Sequence, residues 1–184
     1  TAWKTERRFF DAETEAMYRD VQAKLPGYEV SFTSTNKAED KFIVAATSDR
    51  TPGKRYLYDR ATRELVLLAD VKPWLPEAEL APMLPIEYTS RDGLVIHGYL
   101  TLPKGVAAQG LPVVVNVHGG PWARDAWGFN PEVQFLANRG YAVLQVNFRG
   151  STGYGRKFWE ASFREWGRKM QDDVTDGVQW LIAQ

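Results

Sequence analysis

The sequence predicts an α/β domain, with parallel strands joined by a helix, that is preceded by a segment of antiparallel β strands. Two observations lead to this fold class. Residues 111–148 contain an apolar strand, a short helical segment and a second apolar strand, an order typical of parallel strands with a connecting helix. Residues 41–70 contain three short strand-like runs separated by turn residues, which is typical of an antiparallel meander.

The composition favours a folded domain and excludes several kinds of site. Of 184 residues, 44% are hydrophobic, and 23 Lys and Arg balance 23 Asp and Glu, so no global charge attracts nucleic acid or an anionic membrane. The absence of cysteine excludes disulfides and thiolate sites. No apolar run reaches the ~20 residues of a membrane span, and residues 1–10 lack the apolar centre of a signal peptide. We expect a soluble protein, cytoplasmic or periplasmic.

The N-terminal part predicts one helix followed by β strands. Residues 11–25 have apolar side chains near helical spacing, and a Pro-Gly pair ends the run. Strand-like runs follow at residues 41–49, 54–59 and 63–70, separated by RTPG and RAT, which supply turns. This meander is similar to one blade of a β-propeller, and since a single blade cannot bury both faces, we expect further blades.

A domain boundary is predicted near residue 80. Residues 71–85 contain four prolines and no clear period, which predicts a linker or an ordered strap. Residues 86–103 predict a β hairpin with its turn at residues 91–93. Apolar side chains occur on both sides of the second arm, so we expect both faces of the hairpin to be partly covered.

The α/β part consists of two strands and two helices. Residues 111–117 and 141–148 have the near-continuous apolar character of strands covered on both faces. Residues 130–140 predict the helix between them. Residues 171–184 predict a second helix with a buried apolar stripe. The stripe consists of Val174, Val178, Leu181 and Ile182.

A histidine-glycine loop after the first of these strands is the strongest candidate for a functional site. His118, Gly119 and Gly120 directly follow residues 111–117, where an α/β hydrolase carries a loop that donates hydrogen bonds to the oxyanion. The glycines permit close approach of the backbone to a substrate. We predict that His118 donates an N–H to the oxyanion, so its tautomer matters.

No serine stands in the turn that such a hydrolase needs for its nucleophile. That turn has the pattern G-x-S-x-G, because the glycines allow a tight strand-to-helix connection, and the pattern does not occur in the sequence. Ser151 comes nearest, but Arg149 occupies the place of the first glycine. We interpret Ser151 as a loop residue and His97 as a packed or surface histidine.

Two other patterns have structural interpretations that we prefer. Residues 149–169 interleave basic and aromatic side chains, as nucleic-acid sites do, but the balanced charge favours an amphipathic segment that packs its aromatic residues. Asp172, Asp173 and Asp176 lie early in the last helix, where they complement the helix dipole. Further oxygen ligands for a metal are not evident, so we expect no metal. We also expect no cofactor and, because of the balanced charge, no nucleic acid.

Three segments together resemble the prolyl oligopeptidase family of serine peptidases, most closely its acylaminoacyl-peptidase and dipeptidyl-peptidase-like members. They are LPVVVNVHGGPWARDAWGF, FLANRGYAVLQVNFRGSTGYGRKFW and DDVTDGVQWLI. Family members join a β-propeller to a C-terminal α/β-hydrolase domain. The resemblance implies that residues 1–80 are the C-terminal part of a propeller, and that residues 81–184 are the N-terminal part of an α/β-hydrolase domain.

The resemblance also implies roles for single residues. His118 falls where relatives carry a tyrosine or histidine that helps hold the oxyanion. The residues that support this loop are Gly119, Gly120, Trp122 and Arg149. In the family, the serine, aspartate and histidine of the triad lie beyond the helix at residues 171–184, so we expect none of the triad in this chain. The chain alone is therefore expected to be inactive.

These observations predict part of a serine peptidase that hydrolyses short peptides through an acyl-enzyme. Two alternatives stay open: an esterase or acyl hydrolase that uses the same loop, and a non-catalytic interaction module that uses the basic aromatic segment. The expected partners are a peptide substrate and the remainder of the catalytic domain. Without that remainder, residues 113–117 form an exposed apolar sheet edge, which permits association with a second copy.

Overall fold

A computed structural model describes residues 3–184, which form two compact units. The first unit consists of residues 3–80 together with 128–130, and the second of residues 81–127 together with 131–184. Each unit contains one four-stranded sheet. Within residues 3–184, no helix is long and apolar enough to cross a membrane. All the candidate site residues lie in the second unit.

The first unit packs a helix against an antiparallel sheet. Helix α1 (Ala12–Lys24) is capped by Asp11, whose carboxylate accepts the backbone N–H of Thr14. The sheet has the order β1-β2-β3-β4. Its strands are β1 (Glu29–Thr35), β2 (Lys41–Ser48), β3 (Thr51–Asp59) and β4 (Leu65–Asp70). A 3-10 helix at Glu77–Glu79 follows. The core of the unit consists of Val21, Leu25, Val30, Val44, Ala46 and Tyr58.

The helix and three of these strands were predicted, but β1 was not. Only Val30 of β1 is buried, and most of its other residues are polar, so no apolar alternation marks this strand in the sequence. It forms because it pairs with β2. The start of β3 was also predicted wrongly, since Pro52 and Gly53 lie inside the strand rather than in a turn. They lie next to a register irregularity in β2 between Ala46 and Ser48.

The second unit contains a mixed sheet with the order β5-β6-β8-β7. Strands β5 (Met83–Thr89) and β6 (Val95–Thr101) form the predicted antiparallel hairpin. Strand β7 (Val113–Asn116) runs parallel to β8 (Ala142–Asn147), and helix α2 (Pro131–Asn138) connects them. Helices α3 (Arg156–Glu160) and α4 (Lys169–Ile182) follow β8.

Strand β5 starts inside the segment that was predicted as a linker. It begins at Met83 and includes Pro85. Because β5 lies at one edge of the sheet, a residue without an N–H is tolerated there. The proline-rich composition of residues 71–85 therefore concealed the beginning of an edge strand.

The predicted stripe of α4 is borne out in part, because Val174 and Leu181 pack against the core while Ile182 does not. The buried residues of α4 are Met170, Asp173 and Gly177, whereas Ile182 is 73% exposed. Helix α4 approaches β5 closely at Gly177, where a Cβ atom would lie 2.7 Å from the hydroxyl oxygen of Tyr88. The helix is therefore oriented by a glycine contact and a buried carboxylate as well as by its apolar residues.

The carboxyl ends of the two parallel strands lie side by side and position the candidate site. Strand β7 forms the other edge of the sheet, and Val113 and Val117 are each 43% exposed, as expected for an apolar edge. The loops that follow β7 and β8 leave the sheet at the same end because the two strands are parallel. The core beneath them contains Tyr88, Ile96, Leu144, Val146, Phe148, Phe158 and Met170.

Candidate active site

The loops after β7 and β8 meet at His118 and Ser151. The Nε2 atom of His118 lies 2.8 Å from Oγ of Ser151, and its Nδ1 atom lies 2.9 Å from the carbonyl oxygen of Gly119. The imidazole ring also stacks on Phe148, with ring centroids 4.5 Å apart and an angle of 16° between the planes. Both nitrogens and one face of the ring thus have partners, which fixes its orientation.

The two glycines of the loop differ in what they permit. Gly120 has a φ angle of 131°, and a Cβ atom there would lie 2.9 Å from the backbone nitrogen of Trp122, so a side chain would introduce strain. A Cβ atom at Gly119 would meet nothing within 4 Å. The peptide bond from Gly120 to Pro121 is cis. The path of the loop therefore requires glycine at position 120 only.

Trp122 joins this loop to the segment that follows β8. Its indole N–H donates to Oγ of Ser162 at 3.3 Å, and its side chain is 50% exposed. It belongs to an aromatic cluster in which its ring centroid lies 5.4 to 6.4 Å from those of the other members. The cluster consists of Trp122, Trp159, Phe163 and Trp166. The aromatic residues of the basic segment thus pack largely on one another.

Arg149 is buried and links the end of β8 to α4 and to the β5–β6 turn. Its Nε and Nη2 atoms donate to the two carboxylate oxygens of Asp173 at 2.8 and 2.7 Å. Its Nη1 and Nη2 atoms donate to the carboxylate of Asp92 at 2.8 and 2.9 Å. These hydrogen bonds, first those to Asp173 and then those to Asp92, raise the pKa of Arg149. The hydrogen bond from Arg149 in turn lowers the pKa of Asp92.

The aspartates of α4 bind specific partners rather than only complementing the helix dipole. Asp173 is fully buried and accepts hydrogen bonds from Oγ of Ser90 and from the backbone N–H of Arg149, at 2.8 and 3.0 Å. Asp176 accepts the backbone N–H of Arg91 at 2.7 Å, and hydrogen bonds from Arg91 lower the pKa of Asp176 to about 2. Within residues 3–184, no group of three or more His, Asp or Glu side chains is arranged to hold a metal ion.

Asn147 holds the His118 loop at Asp125 through hydrogen bonds. Its side chain is fully buried; Oδ1 accepts the backbone N–H of Asp125 at 2.8 Å, and Nδ2 donates to the carbonyl oxygen of Asp125 at 3.0 Å. Nδ2 also donates to the hydroxyl oxygen of Tyr154 at 2.7 Å. Asn147 is not among the sequence-predicted site residues; the signal that could have found it is a polar amide at the end of a buried strand.

The carboxyl group of Asp125 has fewer hydrogen-bond partners than the backbone of the same residue. Burial raises the pKa of Asp125. One of its oxygens, Oδ2, is buried without a hydrogen-bond partner among the described residues. The backbone of Asp125 holds the loop through its two hydrogen bonds with the Asn147 side chain.

The burial of Ser151 supports its interpretation as a loop residue. Its side chain is 0% exposed, and its hydroxyl oxygen lies 2.7 Å from the carbonyl oxygen of Phe148 as well as 2.8 Å from Nε2 of His118. A nucleophilic serine must reach the carbonyl carbon of a substrate. Ser151 is buried instead, although the distance between its Oγ and Nε2 of His118 is as short as that between a nucleophilic serine and its histidine base.

Comparisons with known proteins confirm the resemblance. Residues 127–184 match the prolyl oligopeptidase family. The dipeptidyl aminopeptidase BIII of Pseudoxanthomonas mexicana is 42% identical over 98% of this chain and 27% of its own length. The dipeptidyl peptidase family member 6 of Caenorhabditis elegans is 33% identical over 92% of this chain and 26% of its own length. The chain spans about a quarter of the length of these relatives.

Solved structures share the same arrangement of elements. The Pyrococcus horikoshii acylaminoacyl peptidase superposes with a TM-score of 0.66 and 24% identity, covering 86% of this chain and 25% of that one. A puromycin-hydrolyzing peptidase of Mycobacterium tuberculosis gives a TM-score of 0.65 and 29% identity, covering 78% of this chain and 23% of that one. The sequence comparisons thus show that this chain belongs to the prolyl oligopeptidase family, and the solved structures show the same fold.

Proposed function

We propose that this chain is part of a serine peptidase that hydrolyses short peptides through an acyl-enzyme. The observation that carries the proposal is the glycine loop at His118, which lies at the carboxyl end of a parallel strand in a member of this family. The relatives named as dipeptidyl peptidases support short peptides as substrates. Since those relatives are about four times as long, the activity is proposed for the whole protein.

Two domains are part of this proposal. Residues 1–80 are proposed to be the C-terminal part of a β-propeller, because their four-stranded antiparallel sheet has the size of one blade. Residues 81–184 are proposed to be the N-terminal part of an α/β-hydrolase domain, because they contain a parallel βαβ unit with a glycine loop after its first strand. The exposed edge of β7 is proposed as the place where further strands of that domain pair.

The loop at residues 118–121 is proposed to stabilise the oxyanion that forms when a serine hydroxyl attacks the peptide carbonyl. The residue pattern predicts that the ring of His118 donates this N–H. However, Nδ1 lies 2.9 Å from the Gly119 carbonyl and Nε2 lies 2.8 Å from Ser151 Oγ, so both ring nitrogens are already engaged. We therefore assign the donors to the loop backbone, as in α/β hydrolases, and assign His118 the role of holding that backbone through Gly119.

A fluorophosphonate probe, which reacts with activated serines, tests the proposal. The full-length protein should be labelled, and the 184-residue chain should not, because it contains no G-x-S-x-G segment. Labelling of the 184-residue chain that disappears in Ser151→Ala would contradict the proposal, and so would a full-length protein that is never labelled.

Substrate comparison separates the peptidase from an esterase on the same fold. The full-length protein should hydrolyse a dipeptidyl amide, whose leaving group is an amine that must be protonated, as well as an activated ester. Hydrolysis of the ester alone would favour the esterase, and hydrolysis of neither would favour a non-catalytic module.

A further inference from the structure

Tyr154, in the turn after β8, contacts the segment at which the His118 loop ends. Its hydroxyl oxygen accepts hydrogen bonds from Nδ2 of Asn147 at 2.7 Å and from Nη2 of Arg124 at 3.1 Å. The guanidinium carbon of Arg124 also lies 4.7 Å from the centroid of the Tyr154 ring, which is within the range of a cation–π contact. One side chain of the turn thus contacts the loop with both its ring and its hydroxyl.

The donors around Tyr154 have one consistent arrangement. The Asn147 amide has a single orientation, because Oδ1 accepts the N–H of Asp125 while Nδ2 donates to the carbonyl oxygen of Asp125. The other N–H of Nδ2 is therefore available to Tyr154. Nε of Arg124 donates to the same Asp125 carbonyl at 3.1 Å. The Asp125 carbonyl and the Tyr154 hydroxyl therefore each accept from the same two side chains.

The backbone of the turn holds the loop as well. The N–H of Thr152 donates to the carbonyl oxygen of Ala123 at 2.9 Å. Gly153 has a φ angle of 86°, and a Cβ atom there would lie 2.5 Å from Nη1 of Arg124. The glycine thus allows the turn to approach the guanidinium group closely.

Strand β6 fixes the orientation of Tyr154 and of its partner Arg124. The ring of Tyr154 stacks on His97, with centroids 4.6 Å apart and an angle of 6° between the planes. Nη2 of Arg124 lies 3.4 Å from the hydroxyl oxygen of Tyr99, which is 1% exposed. The contact between turn and loop is therefore supported by the sheet.

The His118 loop is tied to β8 at both of its ends. Before the loop, Asn116 of β7 pairs with Gln145 of β8. After it, Asp125 is bound to Asn147, two residues further along β8. The backbone at residues 118–121 thus runs between two attachments to one buried strand, and its position depends on how firmly the second attachment is held.

We propose that Tyr154 is a positioning residue whose hydroxyl holds Arg124 and Asn147 in place and thereby fixes the second end of the His118 loop. The effect on catalysis rests on the proposed role of residues 118–121 in stabilising the oxyanion. The hold on the loop does not depend on that role.

Tyr154→Phe removes the hydroxyl and keeps the ring. The ring contacts with His97 and Arg124 stay, whereas Nδ2 of Asn147 and Nη2 of Arg124 lose an acceptor. The second end of the loop should then open more often, because the hydrogen bonds that hold it closed are fewer.

Hydrogen exchange, measured by mass spectrometry on the full-length protein, tests the hold on the loop. Peptides that cover residues 118–127 should exchange roughly 2- to 10-fold faster in Tyr154→Phe than in the wild type, the usual effect of a lost hydrogen bond. Tyr141→Phe is the matched control. It removes the same group from a residue that lies outside the loop and is 38% exposed, so exchange should be unchanged.

Kinetics on a dipeptidyl amide test the effect on the proposed reaction. Tyr154→Phe should lower kcat by roughly 2- to 10-fold with little change in KM, and Tyr141→Phe should leave both unchanged. Arg124→Met should also lower kcat. Because Arg124 and Tyr154 share one contact, the double variant should lose less than the product of the two single losses, whereas independent structural effects would multiply.

Three results would overturn the proposal. They are unchanged exchange at residues 118–127 in Tyr154→Phe, a Tyr154→Phe enzyme with the wild-type kcat, and single-variant losses that multiply in the double variant. If the wild-type protein neither reacts with fluorophosphonate nor hydrolyses the amide, the proposed function fails, and the exchange measurement alone decides whether Tyr154 holds the loop.

Discussion

Arg149 and Asp173 form a bidentate ion pair in which the two side chains are only 4% and 0% exposed. Asp92 and Ser90 provide further hydrogen bonds, so the buried charges are paired and the carboxylate is fully solvated by protein groups. The pair joins the turn after β8 to helix α4. The position of Ser151, and through it that of His118, therefore depends on this buried contact.

Removal of one member of the pair should destabilise the protein strongly. Arg149→Met keeps most of the side-chain length but leaves the carboxylate of Asp173 buried without its cation, which typically costs about 3–5 kcal/mol. Urea unfolding followed by tryptophan fluorescence measures the change in unfolding free energy. The matched control is Arg156→Met, since Arg156 pairs with Glu160 but is 85% exposed, and its loss should cost less than about 1 kcal/mol. Equal losses in both variants would contradict the account.

Acid should remove the contribution of the Arg91–Asp176 contact. Hydrogen bonds from Arg91 lower the pKa of Asp176 from 3.8 to about 2. A lowered folded-state pKa means that the stabilisation is present above the unfolded-state pKa and disappears as the pH falls through the folded-state pKa. The difference in unfolding free energy between the wild type and Asp176→Asn should therefore shrink from pH 4 to pH 2. A difference that is constant over this range would argue against a charged Asp176 in the contact.

Substitution of the two loop glycines should have unequal effects. Gly120→Ala places a Cβ atom 2.9 Å from the backbone nitrogen of Trp122 at a φ angle of 131°, so we expect it to destabilise the protein by more than about 1 kcal/mol. Gly119→Ala should be better tolerated, because a Cβ atom there meets nothing within 4 Å. Thermal unfolding of the two variants measures the contrast, and a reversed order would refute this description of the loop.

Truncation of Asn147 should loosen the loop at Asp125. Asn147→Ala removes both hydrogen bonds to the backbone of Asp125 and leaves polar groups unpaired, which costs about 1–3 kcal/mol. Amide hydrogen exchange at Asp125 should become faster. Asn116→Ala is the control, because Asn116 makes a single long contact of 3.5 Å with Glu132; unchanged exchange at Asp125 in Asn147→Ala would show that the amide does not hold the loop.

The sequence predicted the elements whose signals are local. Helix α1, the β5–β6 hairpin and the β7–α2–β8 unit follow from periodicity, turn residues and apolar runs, and the structure contains all of them. Strand β1 was missed because a half-exposed polar strand owes its existence to its pairing with β2. The local sequence of β1 does not show which strand it will pair with.

The candidate site was predictable only in part. The position of His118 follows from the strand before it and the glycines after it. Its contact with Ser151, and the contact of buried Asp173 with Arg149, join segments that lie far apart in the sequence. A carboxylate near a helix start already had a sufficient local explanation in the helix dipole, so the charge pairing became visible only in the folded chain.

The turnover of His118→Ala in the full-length protein tests the central claim most directly. If His118 holds a loop that stabilises the oxyanion, kcat on a dipeptidyl amide should fall by roughly one to three orders of magnitude, with little change in KM. Arg156→Met, an exposed substitution outside the loop, should leave kcat unchanged. A His118→Ala enzyme with the wild-type kcat would contradict the claim.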